Sequence, residues 1–351
     1  MLTDEQVRLL ERHSTHSPRV LTGRPGYNTQ ITGGCHKIRP TLMKAAICTR
    51  YGPPEVLQLQ DVHDPVPGAK DVLIRIRATT VTPSDCYIRS AIPTARLAMR
   101  LMARLVIGFT RPRRPILGAV LAGEIEAIGR KVTRFCVGDS VWAFTTLRMG
   151  CYAQRTCLPA TLKLLTPSPS NLSHDEAAAI PGGGLMALYF LGKANIESGQ
   201  QVLVYGASGA NGTTAVQLAK CLGAEVTAVC STANVELLRS LGADKVLDYT
   251  KEHASALGRY DVILDAVGLR KTSPLKVASR NALTPAGKFI SVDDSLPRFR
   301  RDDLIRLKEL AEAGRLKPVI DRRYPLERIA EAHGYVEQGH KKGNVVITIA
   351  D

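Results

Sequence analysis

Gly206, Gly209 and Gly212 recur every three residues within QVLVYGASGANGTTAVQLAK. Glycines so spaced can cradle a pyrophosphate when a strand precedes them and a helix follows. Both neighbours are present in pattern. An apolar run ends at Tyr205, and Ala215, Leu218, Ala219 and Leu222 then fall at i, i+3, i+4 and i+7, the stripe of a packed helix. The first glycine makes a tight turn, the second lets backbone approach a phosphate, and the third lets helix and strand pack closely. The helix N-terminus adds free N–H groups and partial positive charge. Gly206, Ala207, Ser208, Gly209, Ala210, Asn211 and Gly212 therefore read as a dinucleotide loop.

The end of the next strand pattern selects the cofactor. A carboxylate there would bind the ribose 2′-hydroxyl of NAD. This chain has Cys230, Ser231 and Thr232 instead. Hydroxyls can donate to a 2′-phosphate that a carboxylate would repel, so NADP(H) is favoured over NAD(H). The segment STANVE has no Lys or Arg beside those hydroxyls to neutralise the phosphate.

Other chemistry-bearing residues are dispersed. The eight cysteines form no CxxC pair, so neither a disulfide framework nor a zinc ribbon is expected, and a reduced, cytoplasmic setting is. The formal charge is +15, and residues 88–115 hold seven arginines and no acid. Such a patch suits anionic partners: phosphate, nucleic acid or a membrane surface. Arg96, Arg100 and Arg104 lie at i, i+4 and i+8, with Ala98, Met102 and Val106 roughly opposite. That pattern fits an amphipathic helix making weak contact with an anionic membrane, or a lid over a cleft with solvated arginines. The lid is the preferred reading.

The elements that must position these residues fall into three stretches. Residues 1–42 show no sustained period and no secretory apolar segment, and read as a mobile extension. Residues 43–173 read as short strands and turns, with Val72, Ile74 and Ile76 on one face of a strand. From 174 to 317 the pattern changes. SHDEAAAIPGGGLMALYFLGKA reads as two short helices broken by Pro181 and three glycines, after which strands and helices alternate. That alternation implies a parallel sheet with right-handed crossovers. Residues 318–351 read as strand, helix, strand, returning to the first part. The fold class is α/β.

YGPPEVLQLQ, TVTPSDCYIRS, LAGEIEAIG, YGASGANGT and PVIDRRYPLERIAEAH with GHKKGNVVIT together resemble the zinc-independent quinone oxidoreductase-like branch of the medium-chain dehydrogenase/reductase superfamily. The resemblance runs from Met43 to the end. It implies a GroES-like catalytic domain (43–173 with 318–351) and a Rossmann dinucleotide-binding domain (174–317). Zinc-dependent relatives place ligands or their supports where this chain has Thr82, Ala119 and Val120, which offer no thiolate or imidazole, so no metal is expected. By the same resemblance TPSDCY is the substrate-side motif. Tyr87 is then a donor near a carbonyl or quinone oxygen, with Thr82 and Asp85 positioning the loop. A packed Tyr87 and an Asp85 that merely caps a turn are the plainer alternative. Tyr249 resembles a position beside the adenosine phosphate, and Ala266, Val267 and Gly268 the strand end that borders the nicotinamide.

The chain departs from that pattern at Asn211, Met186 and Val120, and between residues 292 and 302, where a further strand is missing. The Rossmann sheet is then one strand short, and a monomer or an atypical dimer is expected. The leading expectation is NADPH-dependent reduction of quinones or α,β-unsaturated carbonyls. A metal-free alcohol or aldehyde oxidoreductase is the second, and a catalytically weak nucleotide-sensing, RNA- or membrane-interacting protein the third.

Overall fold

The structure, a computed structural model, describes residues 42–91, 104–105, 107–268 and 272–350. The extension 1–41, most of the proposed arginine helix and residues 269–271 lie outside them. Strand β1 (Leu42–Cys48) pairs antiparallel with β2 (Leu57–His63) as a ribbon. The front sheet comprises β3 (Asp71–Val81), β4 (Val120–Ile128), β5 (Ser140–Phe144), β6 (Arg155–Pro159) and β7 (Leu165–Pro167), with two late strands added below. On β3 the alternation places Val72, Ile74 and Ile76 in the core. Helix α1 (Pro83–Arg89) follows β3, started by Pro83 and by a reciprocal cap between Thr82 and Asp85.

Helices α2 (His174–Ala178) and α3 (Pro181–Ala194) come next. Two helices do form, parted just before Pro181 as expected, but the three glycines lie inside the second rather than breaking the chain. Proline is tolerated at the first helical position, where its missing N–H has no intrahelical acceptor anyway. The glycines serve packing instead. A Cβ on Gly183 would lie 2.5 Å from the Ala210 carbonyl oxygen, and one on Gly184 would lie 2.8 Å from Leu307. Two neighbouring elements thus approach α3 more closely than any side chain allows.

The second half alternates as expected. It runs β8 (Gln201–Tyr205), α4 (Ala210–Cys221), β9 (Glu225–Cys230), α5 (Val235–Ser240), β10 (Lys245–Asp248), β11 (Tyr260–Asp265), α6 (Pro274–Ser279) and β12 (Leu283–Ser291). Its five strands are all parallel, in the order β10-β9-β8-β11-β12. A six-stranded doubly wound sheet would add one more strand beyond β12, so this one is a strand short. Helix α7 (Arg301–Glu312) then buries Leu304, Leu307 and Leu310. The chain returns through β13 (Ile320–Pro325), α8 (Ile329–Glu337) and β14 (Asn344–Thr348), completing the front sheet in the order β13-β14-β3-β4-β5-β7, with β6 also on β3.

One apolar core joins the halves. Ala78, Ala122, Trp142 and Val346 of the front sheet share a cluster with α3, α4 and α7. A second fills the front sheet around Ile74, Leu121, Tyr152 and Ile347. Burial of this extent, at roughly 25 cal/mol per Å² of apolar surface, is the main force holding such layers together.

Candidate functional site

Gly206 to Gly209 form the turn between β8 and α4, and Ala210, Asn211 and Gly212 the first turn of α4. Gly206 has φ +74°, a conformation that favours glycine, and a Cβ there would lie 2.1 Å from Val267. A Cβ on Gly212 would lie 2.4 Å from the Gly206 carbonyl oxygen. Gly209 is the extended residue before α4, and no side chain caps the helix. The first-turn N–H groups of Ala210, Asn211 and Gly212 therefore have no intrahelical acceptor. A Cβ on Gly209 would meet the Gly206 carbonyl oxygen at 3.7 Å, an ordinary contact, so the backbone there is not crowded. This cradle fits a pyrophosphate.

The remaining expected cofactor residues lie at the C-terminal ends of neighbouring strands, where ligands of open α/β sheets bind. Ala266, Val267 and Gly268 follow β11, and the Asp265 carboxylate accepts from the N–H groups of Val267 (3.1 Å) and Gly268 (3.0 Å). Lys276 pairs with the same carboxylate at 2.8 Å, almost wholly buried, which fixes the turn. Tyr249 follows β10, is 38% exposed, and lies tilted 6.4 Å from the ring of Tyr205. Met186 packs against the core on α3, and Asn211 sits half-buried in the first turn of α4.

At the ribose end Ser231 and Thr232 each have partners within the protein. A carboxylate is present after all, from the next strand. Asp248 accepts the hydroxyl hydrogen of Thr232, and also the N–H (3.0 Å) and hydroxyl (2.7 Å) of Thr250. The Asn234 amide donates to Ser231 Oγ at 3.2 Å. Thr232 therefore has no hydrogen left for a 2′-phosphate. Those bonds hold the Asp248 carboxyl below its usual range against its burial, and Lys251 is the cation acting on it. Counting along one strand end cannot find either group, because the sheet order alone makes β10 the neighbour of β9.

The front half contributes α1. Asp85 is buried, and it accepts from the Thr82 N–H (2.8 Å) and hydroxyl (2.6 Å). Burial outweighs those bonds and raises its carboxyl to about 6. Behind it His333 Nε2 lies 3.3 Å from the Tyr152 hydroxyl, and His333 Nδ1 lies 3.5 Å from Cys86 Sγ. Tyr87 is half-buried on the same helix. Thr82 and Asp85 thus cap the helix that carries Tyr87. Tyr51, which carries no expectation from sequence, donates to the Gly108 carbonyl at 2.7 Å, while the adjoining Gly52 accepts from the Arg89 guanidinium.

The returning chain brings the two halves together. Val345 of β14 pairs with Val81, the residue before Thr82, while the Gly343 N–H donates to the Ser208 carbonyl at 2.8 Å. The segment before β14 therefore lies between α1 and the glycine loop. Lys341 stands there, its ammonium donating to the Gly343 carbonyl. Burial lowers it to about 8, against the attraction of Asp321 and Cys86. The side chain retains some surface exposure, but its charge lies among protein atoms. Sequence reasoning missed Lys341 because nothing in GHKKGN marks which lysine faces a cleft.

A zinc ion does not fit the front half. Thr82 gives its hydroxyl hydrogen to Asp85, and Ala119 and Val120 carry no ligand atom. Among the described residues no three His, Cys, Asp or Glu side chains converge. The seven described cysteines are all free, and no described helix is long and apolar enough to cross a membrane.

Comparison with known proteins agrees with this layout. The family profile described as alcohol dehydrogenase GroES-like domain matches residues 68–196. Two profiles described as zinc-binding dehydrogenase match residues 210–315 and 294–347. The chain is 31% identical to the chloroplastic NADPH-dependent alkenal/one oxidoreductase of Arabidopsis thaliana, over 88% of this chain and 80% of that protein. It is 31% identical to the mitochondrial NAD(P)H oxidoreductase RTN4IP1 of Mus musculus, over 89% and 90%. Among solved structures, the quinone oxidoreductase of Coxiella burnetii superposes with a TM-score of 0.75 at 26% identity, covering 88% of this chain and 100% of that one. The compartments in these names are the chloroplast and the mitochondrion, and the cytoplasmic expectation finds no support in them.

Proposed function

The chain belongs to the medium-chain dehydrogenase/reductase superfamily, in its quinone oxidoreductase-like branch, and on that footing we propose that it is a zinc-independent NADPH-dependent reductase of α,β-unsaturated carbonyls or quinones. The oxidoreductase class with a nicotinamide cofactor follows from the family. The observation that carries the finer reading is the juxtaposition of a glycine cradle and α1, with no ligand set for a metal between them.

When bound, NADPH supplies a hydride. The chain's residues supply the rest. Ala210, Asn211 and Gly212 offer backbone N–H groups to the pyrophosphate, and Lys251 offers charge near a 2′-phosphate. Asp248 weighs the other way, toward NAD(H), while the name of the Arabidopsis relative supports NADPH. The turn Ala266–Gly268, locked by Asp265 and Lys276, borders the nicotinamide. Without a metal, charge that develops on the substrate oxygen needs a hydrogen-bond donor. Tyr87 takes that role, held in place by the Thr82–Asp85 cap.

The test is a calorimetric titration with NADPH and with NADH, followed by turnover on alkenals, enones, quinones and alcohols. Micromolar NADPH binding, weaker NADH binding and NADPH consumption on enals or quinones are expected. Tyr87→Phe should lower kcat by about 100- to 1,000-fold, the order of one lost oxyanion donor, with NADPH affinity unchanged. Binding of neither dinucleotide overturns the proposal, and turnover on alcohols alone would assign the alcohol oxidoreductase reading.

A further inference from the structure

Two segments distant in sequence bring three large apolar side chains to the surface beside one cluster of arginines. Leu105, at a helical turn, and Phe109, in the loop after it, come from one segment and Leu147 from the other, and they are 57%, 59% and 61% exposed. The segments are neighbours, because Leu147 lines a small cavity together with Ile88, Ile107, Arg113 and Arg114. Arg111, Arg113, Arg114 and Arg148 stand exposed around these groups, and none forms an ion pair with a described carboxylate.

The backbone keeps Leu147 outward. Thr146 and Met149, on either side of the Leu147–Arg148 pair, both have φ +53°, a conformation that side chains other than glycine rarely adopt. Buried Thr145 anchors the turn, its N–H donating to the Ala119 carbonyl at 2.7 Å. On the other loop the Arg113 N–H donates to the Ile107 carbonyl at 2.7 Å. Strain of this kind persists where surrounding structure over-determines it.

We propose that this surface docks the protein onto an anionic lipid bilayer, with Leu105, Phe109 and Leu147 at headgroup depth and Arg111, Arg113, Arg114 and Arg148 on the lipid phosphates. Apolar tips within a ring of exposed cations match what such an interface accepts. An RNA would use the arginines and could stack on Phe109, but Leu105 and Leu147 would gain nothing from it. The bilayer is the partner that uses every group in the patch. Ile88 of the cavity is next to Tyr87 on α1, so the docking face adjoins the candidate substrate side. The docking itself stands whether or not the reductase reading does.

The test is sedimentation of the full chain with vesicles of phosphatidylcholine, alone or with about 30 mol % phosphatidylserine. Binding to the anionic vesicles only, weakened by salt, is expected. Replacing Phe109 and Leu147 together by Ser should reduce partitioning by about tenfold or more. Arg113→Gln and Arg114→Gln should each reduce it by about fivefold. Circular dichroism melts that match the parent chain would show that the variants fold. Absence of sedimentation with anionic vesicles overturns the proposal. So does binding that the serine variant retains in full and an RNA oligonucleotide competes away, which would reassign the patch to nucleic acid.

Discussion

At the scale of single residues the cleft between α1 and the glycine loop has one cation in an unusual state. Lys341 is held to about 8 because burial disfavours its charged form more than Asp321 and Cys86 favour it. It is charged at neutral pH and gives up that charge as pH rises through about 8. The glycine loop beside it is the expected seat of a pyrophosphate, which attracts the ammonium and gains nothing from the neutral amine. NADPH affinity should therefore fall between about pH 7 and about pH 9, well below the range where an ordinary lysine titrates. Lys341→Met should bind NADPH about 5- to 20-fold more weakly at neutral pH, the order of one charge-assisted hydrogen bond. Its affinity should also lose the step near pH 8. Calorimetry across that range on both proteins checks this. A variant with parent-like affinity and the same pH step would place the lysine away from the cofactor.

At the scale of elements, α8 shows how the returning chain is fastened. Its buried His333 lies between Tyr152 of the front half and Cys86 of α1, and burial beside Arg89 holds its imidazole neutral down to about 3. An unfolded chain takes up that proton near its ordinary value of 6.5. Between those values the folded state binds fewer protons, so stability rises with pH across the window and is lost as pH falls through it. The full excursion is worth on the order of 5 kcal/mol. His333→Gln, which cannot titrate, should be less stable than the parent at neutral pH, and the gap should narrow toward about pH 4. Urea melts at several pH values would show it; a gap independent of pH would mean that the folded imidazole takes up its proton normally. Elements also explain what was legible from sequence. The glycine loop, the alternating second half and the stripe of α4 are local patterns, and each formed as read. Asp248, Lys251, Lys341 and His333 act through strand order and chain return, which no local period encodes. The three glycines of α3 misled for a related reason. Glycine marks a turn or a close approach equally well, and only the arrival of Ala210 and Leu307 decides between them.

At the scale of the whole molecule, the question is whether two copies pair through the shortened sheet. Strand β12 forms one edge of that sheet and, among the described residues, pairs only with β11. An open edge invites a second chain unless something blunts it. Here Pro285 removes an N–H in the first part of the strand. Lys288 turns its ammonium to the Ala194 carbonyl at 2.9 Å, and Arg280 lies over the Phe289 ring at 3.8 Å, placing charge beside the strand. The opposite edge, β10, has only four residues. A formal charge of +15 adds mutual repulsion between copies at low salt. These features favour a single chain over sheet extension. Light scattering on the purified protein at micromolar concentration should give a mass near 38.0 kDa, unchanged when salt is raised to about 0.5 M to screen the repulsion. A doubled mass that appears only at high salt would show that charge alone keeps the copies apart. A doubled mass at every salt concentration would mean that another face joins them, since neither edge of the five-stranded sheet presents an unblunted row of backbone groups.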